Sequence, residues 1–162
     1  MADQPARTLA ALLLNPAAGT GAITTRRVQV AAGLLGCESF IVANLVDTRT
    51  RNLHELSAAA RDWQPWQSAQ QHLAAAIGEA DDVLLAWGLG GTTGPARLHA
   101  QRQVTWVHAQ IRLAGHSRAW CLDGEPRHPS RWHQYVSDRY ARTAGGSFAD
   151  RLKQVLLPIS IH

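Results

Sequence analysis

Asn15 and His128 are the side chains of this sequence best placed by type and context to do chemistry. His128 stands in Glu125-Pro126-Arg127-His128-Pro129-Ser130, where two prolines restrain the backbone. An imidazole held there can donate to a carbonyl oxygen or exchange a proton near neutral pH. Asn15 precedes Pro16 and a small-residue loop, Ala17 to Ala22, with Gly19 and Gly21. Such a loop can bring backbone N–H groups to a ligand, aided by the positive end of the following helix. Arg26 and Arg27 then fall in the first turn of that helix, where a guanidinium can meet an anion. Asn44 can read the donor–acceptor edge of a base, and Trp87, followed by Gly88, can stack on a planar ligand. Arg127 and Ser130 flank the histidine.

Each of these has a plainer structural role. Asn15 and Asn44 can tie down loop corners, Arg26 and Arg27 can be a solvated face, Trp87 can be core, and a lone histidine is more often structural than catalytic. Other chemistries lack their motifs. No Gly-Lys-Ser/Thr phosphate loop follows the first strand. No G-x-S-x-G elbow is present, and Ser130 reads as a helix cap. Cys37 and Cys121 form no CxxC pair, and the other seven histidines show no ligand spacing, so neither metal nor cofactor is expected.

The elements that must position these residues alternate. Residues 1–7 read as a loose N-terminal arm. Thr8 to Leu14, Phe40 to Val46, Asp82 to Trp87 and Arg118 to Leu122 read as strands, the first a nearly continuous apolar run of the kind buried on both faces. A helix starts near Thr24 or Thr25 and ends at Gly36. Asn52 and Glu55 form a capping-box pattern for a helix to about Ala60. Asp62 to Gln67 reads as an aromatic loop and Ser68 to Gly78 as a helix. Pro95 opens a helix to about Ala114, with Leu98, Val104, Val107 and Ile111 as its apolar face. Asp123-Gly124 is a turn, Trp132 to Ala141 a further helix, and Ala149 to Leu157 a terminal helix. Strand, loop and helix in alternation imply right-handed crossovers and a parallel sheet. The expected fold is one α/β domain over 1–162, a three-layer sandwich around a mainly parallel four-stranded sheet. Ligands bind such sheets outside the carboxyl ends of the strands, where Asn15-Pro16, Asn44, Trp87-Gly88 and His128-Pro129-Ser130 gather.

The 162 residues suffice for one core without disulfide or metal staples. The net charge is +4, and 15 of the 16 basic residues are arginine. Arginine suits phosphate and carboxylate recognition, though a GC-rich genome gives the same excess. No block of like charge marks a nucleic-acid arm. The longest strongly apolar run, Leu9 to Leu14, is too short to span a bilayer. With no secretory signal pattern, a cytoplasmic protein without membrane contact is expected.

The motifs taken in order resemble a bacterial and phage family of unknown function, DUF1643. The resemblance lies in Leu-Leu-Leu-Asn-Pro (12–16), Thr-Thr-Arg-Arg (24–27), Val-Ala-Asn-Leu (42–45), Ala-Trp-Gly (86–88) and Pro-Arg-His-Pro (126–129), and covers roughly residues 8 to 135. The same order is similar, more distantly, to the uracil-DNA glycosylase superfamily, whose first strand ends in a water-positioning motif and whose last motif is His-Pro-Ser. That likeness implies the glycosylase fold, a water placed by Asn15, a base carbonyl polarised by His128 and stacking from Trp87. Asn15 stands where many glycosylases have aspartate, and Arg131-Trp132-His133 replaces their leucine wedge.

Three functions follow as expectations. The first is an N-glycosidic hydrolase acting on a nucleoside, nucleotide or nucleic-acid base. The second is a nucleotide- or nucleic-acid-binding module without chemistry, favoured by the lack of an obvious general base. The third is a homo-oligomeric interaction protein, suggested by Trp63, Trp66 and Trp132 in or beside loops.

Overall fold

The computed structural model describes residues 4–136 and 146–162. Strand β1 (Thr8–Leu13) lies inside the sheet, and Leu9 to Leu12 are fully buried. It pairs in parallel with β2 (Ser39–Asn44) on one side and β3 (Asp82–Leu85) on the other. Beyond β3 lie β4 (Arg118–Leu122), parallel, and β5 (Leu156–Ser160), antiparallel, giving the order β2-β1-β3-β4-β5. The sheet therefore has five strands rather than the expected four. The terminal helix ends at Val155 (α6, Phe148–Val155), and the chain turns into β5. Leu156-Leu157 continues the helix's apolar pattern, which hid the change of element. Pro158 is tolerated because β5 is an edge strand.

Alternation along β1 divides the core. Leu9, Ala11 and Leu13 face helix α1 (Ala22–Leu34), α6 and Trp132; Ala10 and Leu12 face helices α3 (Gln64–Glu79) and α4 (Gly94–Leu113). Three layers result, helices on both faces of one sheet. The crossover from β1 to β2 runs over one face and that from β2 to β3 over the other, so the chain changes direction at the β1–β3 junction.

Several element ends differ from expectation. Helix α1 starts at Ala22 behind Gly21, not at Thr24 or Thr25. Helix α3 absorbs most of the expected aromatic loop. Pro65 occupies its first turn, and Trp66 is fully buried, donating from its indole N–H to the Ala60 carbonyl at 3.1 Å. On α4 the buried positions are Ala96, Ala100, Gln103, Val107 and Ile111, while Leu98 is 67% exposed. Asn52 caps α2 (Leu53–Ala59) by accepting from Glu55 N–H, and the Glu55 carboxylate returns to Arg51 N–H rather than to Asn52. The arm is pinned at Arg7, which pairs with Asp82. Of the expected helix over 132–141, α5 (His133–Val136) is seen, preceded by a 3₁₀ turn (Pro129–Arg131); residues 137–141 lie outside the described residues.

Candidate functional site

A cleft of about 730 Å³ opens at the carboxyl ends of β1 and β3, over the junction where the chain changes direction. Its floor is Leu14 and Asn15 after β1 and Trp87 to Gly91 after β3. One wall is Thr50 to Leu53, from the β2 side. The other runs from Glu125 to His128 with Ser130, Arg131 and Tyr135, from the β4 side. Sites in open α/β sheets form at this place because the two loops diverge there.

His128 sits on the second wall, held from several directions. Ser130 N–H donates to its Nδ1 at 3.2 Å, and the Ser130 hydroxyl lies 2.8 Å from the same nitrogen. A backbone N–H can only donate, so Nδ1 is the acceptor and the neutral ring carries its proton on Nε2. Burial lowers the imidazole pKa, and the charge on Arg131 lowers it further. Both effects favour a neutral Nε2–H donor. Behind the ring, Gly88 N–H donates to the Pro126 carbonyl at 2.7 Å. Gly88 has φ 59°, and a Cβ there would lie 2.9 Å from the His128 Cβ. No other residue fits that position without displacing the histidine.

The remaining expected residues mostly position the site. Arg27 does not point at an anion in the loop after β1. It donates to the Pro129 carbonyl, holding the turn that carries His128, and lies over the Phe148 ring. Arg127 donates to the Tyr135 hydroxyl at 2.7 Å, stacks on that ring at 3.9 Å and pairs with Glu125 at 3.4 Å. Asn15 gives its amide hydrogens to the Thr48 carbonyl and Thr50 Oγ1, each at 3.0 Å. Ala17 and Thr50 form a bridge beside it, and Arg49 donates to the Ala17 carbonyl. Asn15 thus ties the β1 loop to the β2 loop and brings the Thr50–Leu53 wall over the cleft. Trp87 is only 3% exposed and tilts against His108 at 6.1 Å, so it is floor rather than a stacking platform.

Pro16, Gly19, Arg26 and Asn44 do not line the cleft. Arg26 is exposed on α1, whose cap, Gly21, precedes the expected Thr24 or Thr25 and leaves Arg26 past the first turn. The Asn44 Oδ1 is buried without a hydrogen-bond partner among the described residues. Sequence reasoning missed Arg51, Leu53, Glu125, Arg131 and Tyr135, all of which line the cleft. Trp66 and Trp132 are fully buried and Trp63 lies under Arg102 at 4.0 Å, which removes the surface-aromatic argument for an oligomer. Among the described residues no three His, Cys, Asp or Glu side chains converge as metal ligands, and no helix is long and apolar enough to cross a membrane.

Fold and cleft define the class: a three-layer α/β protein with a polar cleft at the turning point of its sheet. Residues 1–130 match the family model described as protein of unknown function (DUF1643), and the chain belongs to that family. The matched span ends at Ser130, so it includes Asn15, Gly88 and His128. No curated protein and no solved structure matches the chain.

Proposed function

We propose that this protein binds a ligand of nucleobase type in the strand-end cleft, as the distant likeness to the uracil-DNA glycosylase superfamily implies. The observation that carries the reading is His128 on the cleft wall, whose Nδ1 accepts from Ser130 N–H, which leaves Nε2 as the ring's donor. Such a donor complements the carbonyl of a base, and it stabilises negative charge on a departing base without first losing a proton to solvent. N-glycosidic hydrolysis is the chemistry this group best serves.

A binding module without chemistry is the second reading, and a specific observation favours it. Hydrolysis needs a placed water and a group to take its proton. Asn15 cannot take a proton, and both of its amide hydrogens are given to Thr48 and Thr50. Glu125, the one carboxylate among the described lining residues, is paired with Arg127.

The two readings part in a base-release assay. The protein is incubated with nucleosides, nucleotides and short single-stranded DNA, and free base is measured. Hydrolysis predicts release that His128→Ala lowers by about 10²-fold or more, as loss of one charge-stabilising donor does. Tight binding with no release from any substrate gives the binding module.

A further inference from the structure

The charge around the cleft is uneven. Arg51, Arg127 and Arg131 face it, against Glu125 alone among the described lining residues. Glu125 is committed to Arg127, whose guanidinium is also stacked on Tyr135. Arg51 pairs with Glu55 at 2.7 Å, but its side chain is 80% exposed, and a surface pair of this kind is weak and easily exchanged. Arg131 makes no ion pair among the described residues; its backbone N–H bonds the His128 carbonyl at 2.9 Å, which sets it beside the histidine. The sheet order places Arg51 on the β2 side of the floor and Arg131 on the β4 side. Two arginines thus line the cleft from opposite walls, and a guanidinium suits fork-shaped contacts with a phosphate.

We propose that the ligand is a free nucleoside monophosphate, with its phosphate held between Arg131 and Arg51 and its base on His128; this rests on the nucleobase reading above. The size agrees with a small molecule, since ligand pockets span about 300–1,000 Å³ and this cleft is about 730 Å³. A polymer calls for a basic track along the surface. No block of like charge marks such a track in the sequence, and Arg7, outside the cleft, is paired with Asp82.

Isothermal titration of the full chain tests this, with nucleosides, their 5′-monophosphates, inorganic phosphate and a short single-stranded oligonucleotide. The monophosphate is expected to bind about tenfold or more tighter than the nucleoside of the same base, the gain of one charge-assisted contact. Arg131→Gln is expected to lower that ratio and the double variant Arg131→Gln, Arg51→Gln to bring it within about twofold, with unchanged unfolding curves showing an intact fold. Equal affinity for nucleoside and monophosphate overturns the proposal and leaves the nucleobase reading standing. An oligonucleotide that binds tighter than the monophosphate, with steep salt dependence, overturns it in favour of a polymer. Absence of binding by every nucleoside and nucleotide, even if phosphate binds, overturns both.

Discussion

Ser130 fixes the proton on His128, and that small arrangement has measurable consequences. In the unfolded chain the imidazole titrates near its ordinary value, about 6.5. In the fold, burial and Arg131 hold it lower. Between the two values the unfolded chain binds more protons, so stability rises with pH there. The contribution is complete above about 6.5 and is lost as pH falls towards the lowered value. His108 is lowered too, by burial and then Arg112, so His128→Ala should flatten the pH dependence only in part. Urea unfolding at a series of pH values checks this, and an unchanged slope would contradict it. Gly88 supplies a second prediction. Gly88→Ala places a Cβ against His128 at a left-handed φ and should cost about 1–3 kcal/mol. Gly33→Ala, in α1 with open space around it, should instead stabilise by up to about 1 kcal/mol. Denaturant curves of both variants give the comparison. His128 and Asn15 were legible because each sits in a rigid, proline-marked context at a strand end. Arg51 and Tyr135 were not, because only the order of the sheet brings them to the cleft.

At the scale of elements, Gln103 shows how helices hold the site's frame. It is fully buried on α4 and donates to the Leu45 and Trp66 carbonyls at 2.8 and 2.7 Å, while accepting from Gln70. One amide thus joins α4, α3 and the end of β2, just before the loop that forms a cleft wall. Gln103→Leu removes that donor from two buried carbonyls and should destabilise by about 1–3 kcal/mol, read from urea midpoints at constant slope. The parallel strands were legible because burial on both faces writes continuous apolar runs. The start of α3 was not, because Trp63-Gln64-Pro65-Trp66 carries aromatic and proline signals shared by loops and first turns. Strand β5 was hidden because five residues directly after a helix carry no turn signal and include a proline.

For the molecule as a whole, the reversal between β1 and β3 decides where function can sit. It opens the loops of adjacent strands in opposite directions, and the cleft fills the gap. Alternation of strand and helix was enough to expect that location. The strand order, which chooses the neighbours of β1, depends on long-range packing and was not readable locally. The most direct test of the account is ligand-induced stabilisation of the full chain by nucleobases, nucleosides and nucleotides, compared between wild type and His128→Ala. A ligand present at about a hundred times its Kd should add about 2.7 kcal/mol of apparent stability. The account predicts a shift of that size for one ligand class in the wild type and its loss in His128→Ala. No shift with any of them, or an equal shift in the variant, would contradict it.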